Sequence, residues 1–125
     1  MDKNTSTIEI GKVSVQQKTM RGWLVGQFFP DGSSFKDDNV EIYCKTFKTG
    51  VTPDKLHKHP KGKEYMVVIK GHMVFRIGDE IFELKDGDYI AVPEGSPEKI
   101  IEVKTELTIL GVRYPSIPEN KVLLE

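Results

Sequence analysis

Three side chains able to hold a metal ion or move a proton fall close together in this chain. His57, His59 and Glu64 lie within the stretch GVTPDKLHKHPKGKEYMVVIKG, which runs from Gly50 to Gly71. On an extended backbone, residues i and i+2 project from the same face, so His57 and His59 can direct both imidazoles at one point. Glu64 opens the apolar run YMVVI, and a turn through Pro60, Lys61, Gly62 and Lys63 would return it on the neighbouring strand. Two imidazoles and a carboxylate converging from paired strands are a donor set for a divalent first-row ion. The plain alternative is that a His-x-His pair in a lysine-rich loop is solvated surface, since the pair alone carries little information.

A second stretch, GDYIAVPEGSPE from Gly87 to Glu98, reads as a strand entered through a glycine turn and left through Pro93-Glu94-Gly95. Together the two stretches resemble the paired motifs of the cupin superfamily. His57, His59, Glu64 and Gly71 match the first motif, with Gly50 standing one residue further from His57 than usual. Gly87, Pro93 and Gly95 match the second, and its histidine position is occupied by Glu98. The resemblance implies an all-β fold, a double-stranded β-helix or jelly-roll barrel over residues 40–114, with a tail over 115–125. It also implies that N-terminal strands within residues 1–39 pair with a second subunit to make a homodimer. Trp23, Phe28 and Phe29 would cover that join, or else cap the barrel's own core. The fold hosts many unrelated activities, so the resemblance speaks for fold more than for function.

The usual ligand set of that family is three histidines and a glutamate, and Glu98 replaces the last histidine. Three readings stay open. Glu98 can ligate beside His57, His59 and Glu64, a hard set that favours Mn, Fe or Zn over Cu. It can stand off the metal as a catalytic acid or base, leaving a two-His-one-carboxylate face suited to Fe(II). Or no metal binds and Glu98 is a solvated loop residue; if Glu64 and Glu98 both point inward, a metal or a shared proton is expected.

The elements that would position these groups are short strands. Val40 to Phe47 alternates, with Tyr43, Lys45 and Phe47 on one face and Ile42, Cys44 and Thr46 on the other, and the sequence leaves open which face is inside. Residues 64–69 and 72–77 are expected to form a hairpin turning at Lys70-Gly71, and residues 77–81 a second one at Gly78-Asp79. Further strands are expected at 81–84, 88–92, 99–103 and 107–114. Ile8, Ile10, Val13 and Val15 suggest strand pieces, and residues 22–29 a further β-rich run ending at Pro30. No segment shows a helical period; about ten short strands are expected, with Val122-Leu123-Leu124 docking on the barrel. His72 follows a turn and is expected at the rim. Lys55, Lys58, Lys61 and Lys63 either steer an anion or keep a sheet edge solvated. Whether Arg113 and Tyr114 reach the pocket is not decided.

Composition narrows the function classes. At 125 residues the chain makes one domain with a single core. A formal net charge of −1 gives no basic excess for nucleic acid, and apolar runs of four or five residues do not span a membrane. Residues 1–7 are polar and lack the apolar core of a signal peptide. The single cysteine, Cys44, excludes an internal disulfide, fits a cytoplasmic setting, and reads as buried rather than reactive. The expected function is a small metal-dependent enzyme acting on a small polar or anionic metabolite. The alternatives are a non-catalytic small-molecule-binding module on the same barrel and a metal-free isomerase using an acid–base pair.

Overall fold

The computed structural model describes residues 8–51 and 54–125. Residues 1–7, read as a polar terminus, lie outside the described residues. In chain order the elements are α1 (Val13–Thr19), β1 (Trp23–Val25), β2 (Glu41–Phe47), β3 (Gly50–Val51), β4 (His57–Lys58), β5 (Lys63–Ile77), β6 (Glu80–Lys85), β7 (Tyr89–Val92), β8 (Glu98–Tyr114) and β9 (Val122–Leu123). All the strand pairings are antiparallel. The architecture is the all-β jelly roll.

Two long strands carry it. β5 and β8 pair along nearly their whole length, from Lys63↔Tyr114 to Ile77↔Glu98. The first half of β5 takes β7 as its other neighbour, and the second half takes β6. The C-terminal half of β8 pairs with β2, and its N-terminal half with β3 and β4. Each long strand thus serves both sides of the roll, and must bend between them.

The bend shows in which residues face inward. Along β5, Glu64, Met66 and Val68 are buried, and then Gly71, Met73 and Phe75. The step from 68 to 71 is three residues where a regular strand needs two, and register shifts fall there, at Val68/Lys70 and Lys70/His72. One extra residue in a strand exchanges the faces of everything beyond it. Gly71 makes the crossing possible. It has φ +110°, and a Cβ there would lie 2.3 Å from the carbonyl oxygen of Glu106 on β8. This corrects the expected hairpin at Lys70-Gly71: the glycine bends one continuous strand instead of reversing the chain. The expected strands at 99–103 and 107–114 fuse into β8 in the same way. The hairpin at Gly78-Asp79 forms as read, with Ile77 opposite Glu80.

The core comprises Met66, Val68, Met73, Phe75, Val103, Leu107 and Ile109, all 3% exposed or less, together with Tyr43, Val92 and Ile100. Burying one such side chain contributes about 1.5–3 kcal/mol.

The N-terminal segment departs from the expected strands. Val13–Thr19 is a helix with no buried residue and no side-chain N-cap. A helix of this length is marginal alone. Its glutamines fasten it: Gln16 Nε2 donates to the Trp23 carbonyl at 2.8 Å, and Gln17 Nε2 to the Cys44 carbonyl at 3.2 Å. Those tertiary bonds override the strand preference of Val13 and Val15, which stay exposed. β1 pairs with β2 of the same chain, and Trp23 packs on this chain's own core.

Candidate metal centre

His57 and Glu98 meet because β4 and β8 set them directly opposite each other. Side chains of such a pair share one face of the sheet. His57 Nε2 lies 3.7 Å from Glu98 Oε1. His59 follows on the same face, its ring 5.1 Å from that of His57 and steeply inclined to it. One donor atom from each of His57, His59 and Glu98 falls within 4.8 Å of the others, and all three residues are buried.

The outer bonds of the two imidazoles fix their tautomers. His57 Nδ1 lies 2.6 Å from the carbonyl oxygen of Lys55, and His59 Nδ1 lies 2.6 Å from that of Asn120. A carbonyl only accepts, so each Nδ1 carries the proton and each Nε2 presents a lone pair to the interior. Metal-bound histidines are oriented by this same arrangement.

Glu64 enters from β5, opposite Val92 on β7 and Arg113 on β8. Its Oε2 accepts a 2.5 Å hydrogen bond from the Tyr43 hydroxyl. Its Oε1 is buried, lies 3.8 Å from His59 Nε2 and has no hydrogen-bond partner. Glu64 therefore stands beside the tight cluster, with one oxygen free. Arg113 lies 3.4 Å from Glu41 and 3.8 Å from Glu64, and its Nη1 is 2.8 Å from both ring nitrogens of His59. Equidistant from the two nitrogens, Nη1 lies over the face of the His59 ring and leaves the in-plane lone pair of Nε2 directed inward.

The charges sort the two carboxyls apart. Burial, and then the negative charge of Glu64, pushes Glu98 up to about 10, so the metal-free site keeps it protonated. Burial also pushes Glu64 upward, but the Arg113 guanidinium first, and then the neighbouring side chains of Glu98 and Tyr43, outweigh it and hold Glu64 below its ordinary value. His59 is lowered to about 4 by burial and then by Arg113, so its imidazole is neutral at ordinary pH. Tyr43 is raised well above the usual phenol range, by burial first and Glu64 second, and retains its proton.

The donor set fits a divalent ion. It has two neutral imidazoles with inward lone pairs, a carboxyl opposite one of them, and an unpartnered buried carboxylate oxygen alongside. The cavity holding them is about 390 Å³, near the lower end of the roughly 300–1,000 Å³ of small-molecule sites.

The sequence placed none of four further contributors at the site, leaving Arg113 among them undecided. Tyr43 and Lys45 line the cavity, so the face of β2 left undecided is the inner one. Tyr43 reaches Glu64 because its ring lies flat on Gly111, where a Cβ would stand 1.9 Å from the ring. Arg113 continues the inward series Leu107, Ile109, Gly111 on β8, a periodic signal that could have placed it. Asn120 carried no such signal. It lies in the tail, which docks as expected: β9 pairs with β4, and Asn120 both receives His59 Nδ1–H and clasps the backbone of Lys61. His72 sits away from the cluster, bonded to Glu83 at 2.8 Å. Cys44 is buried and its thiol pKa is raised by that burial. Among the described residues no helix is long and apolar enough to cross a membrane.

Comparison with known proteins places this geometry in a lineage. The family model of the cupin domain matches residues 45–109. A curated relative, an uncharacterised protein of Methanocaldococcus jannaschii, is 36% identical over 61 residues, covering 48% of this chain and 49% of that protein. The chain spans about half the length of the curated relative it matches. Among solved structures, the DMSP lyase DddQ from Ruegeria pomeroyi aligns with a TM-score of 0.65 at 18% identity, over 99% of this chain and 59% of that one. The nucleoside dehydratase Pac13 from Streptomyces aligns with a TM-score of 0.63 at 14% identity, over 71% of each chain. At these identities the structural likenesses speak for the fold alone. With the domain model matching half the chain and the jelly roll in view, this protein belongs to the cupin family.

Proposed function

We propose that this cupin is a metal-dependent enzyme acting on a small polar or anionic molecule. His57, His59 and Glu98 bind a divalent Mn, Fe or Zn ion, and Glu64 Oε1 is a fourth donor. The observation that carries the reading is the convergence of three buried donors from β4, the following loop and β8 within 4.8 Å of one another. The two structural neighbours named above are a lyase and a dehydratase, which supports reading such a cavity as catalytic.

The residues divide the work. The carbonyls of Lys55 and Asn120 hold both imidazoles with Nε2 inward. Tyr43 keeps its proton and, with Arg113, orients an ionised Glu64. Glu98 gives up its proton to become a ligand. A bound ion would act as a Lewis acid toward an oxygen of the substrate. The apolar wall of Met66, Phe75, Ile100 and Ile109 limits water around that oxygen.

Reconstitution tests this. Chelator-treated protein refilled with Mn, Fe(II) or Zn, desalted and assayed for metal is expected to hold about one ion per chain. His57→Ala and His59→Ala, shown folded by circular dichroism, are expected to bind at least the roughly 100-fold more weakly that loss of a mere supporting group can cause. Variants that keep the wild-type metal content would overturn the ligand assignment.

A further inference from the structure

Four cationic side chains, Arg21, Lys45, Arg113 and Lys121, line the same cavity as the candidate ligands. Arg113 is matched by Glu41 and Glu64. The other acid there outside the metal cluster, Asp54, accepts from the Ile100 backbone N–H at 2.9 Å and lies 3.7 Å from His57 Nδ1. Among the described residues, no carboxylate lies within ion-pair distance of Arg21, Lys45 or Lys121.

Unpaired arginines and lysines at an exposed surface are ordinary, and Arg21 and Lys121 alone would carry nothing. Lys45 is of another kind. It projects from the inner face of β2, with its ammonium 5.0 Å from the centre of the Trp23 ring and 5.1 Å from that of Tyr43. The Arg113 guanidinium stands 5.0 Å from the same Trp23 ring. Two cations thus crowd one aromatic pair, with two more at the rim. Burial first, and then Arg113, Lys121 and Arg21, lowers the Lys45 pKa.

We propose that the mouth of the cavity seats a compact dianionic oxyanion, the phosphate or paired-carboxylate head of the substrate, between Lys45, Arg21 and Lys121, with the rest of the molecule directed inward to the metal centre. The head relieves the mutual repulsion of three cations that the protein leaves unneutralised. This deepens the enzymatic reading and depends on it only for the inward end of the ligand.

Calorimetric titration of full-length, chelator-treated protein at low salt tests the seat apart from the metal, with inorganic phosphate, malonate and acetate as probes. Phosphate or malonate is expected to bind, whichever binds more tightly naming the head. Acetate is expected to bind about tenfold or more weakly, the worth of a charge-assisted hydrogen bond. Lys45→Gln and, at the exposed rim, Lys121→Gln are each expected to weaken the dianion by about tenfold or more on the same ground, and Lys48→Gln, outside the cavity, to leave it unchanged. No dianion binding by the wild type, or wild-type affinity retained by either Lys45→Gln or Lys121→Gln, overturns the seat. Metal content is read separately. A wild-type metal content with no anion binding ends this inference alone, whereas Lys45-dependent anion binding in a protein that takes up no metal ends the metal reading alone.

Discussion

At the scale of the residue, the protonation of Glu98 is the most informative feature of the site. A carboxyl held protonated to about pH 10 cannot ligate until it loses its proton, so metal uptake near neutral pH must release one. His59, already neutral above about pH 4, does not add a second. Apparent metal affinity is therefore expected to rise by up to about tenfold per pH unit through the neutral range. Calorimetry in buffers of different ionisation enthalpy should count about one proton for the wild type and none for Glu98→Gln. Affinity flat in pH, with no proton released, would contradict the assignment. The sign for folding follows from the same group. Its folded pKa is raised, so the metal-free fold binds this proton more tightly than the unfolded chain. Its contribution is then present at low pH and is lost as pH rises from the ordinary carboxylate range towards 10. The two histidines and Glu98 were legible as a motif. Their partner Tyr43 was not, because alternation along β2 reveals two faces without saying which is inside; Arg113 was left undecided, although the inward series Leu107, Ile109, Gly111 on β8 points to it.

At the scale of the element, the site depends on two close backbone approaches. Gly71 lets β5 cross β8 and change face, which keeps Glu64 and Met66 inside together with Met73 and Phe75. Gly111 gives Tyr43 its bed. Gly111→Ala is expected to cost about 1–3 kcal/mol or more by overpacking, measured by denaturant unfolding. Tyr43→Phe, which leaves Glu64 Oε2 without its donor, is expected to cost about 1.5–3 kcal/mol. A Gly111→Ala protein as stable as the wild type would show that the ring does not rest there. Strand breaks were legible as glycines and turn residues. Whether a break reverses the chain or only bends it was not, since Gly71 can serve either geometry and the partner that decides it, Glu106 on β8, lies 35 positions away in sequence. The same blindness hid α1, whose glutamine bonds to β1 and β2 are tertiary.

At the scale of the whole molecule, segments far apart in sequence are drawn onto one loop. Gly95 of the second motif donates its N–H to the His59 carbonyl at 3.0 Å, and the tail returns so that Asn120 receives His59 Nδ1–H and Leu124 pairs with Leu56. The fold was legible because paired glycine–proline motifs fix where this jelly roll turns. The part played by the tail was not, because a contact spanning 61 residues leaves no local pattern. An anomalous-difference map from crystals of the protein soaked in Mn, collected where Mn scatters anomalously, would locate the ion itself. One strong peak is expected among His57 Nε2, His59 Nε2 and the Glu98 carboxylate. A map with no peak there, or with the peak on other residues, would contradict the ligand assignment.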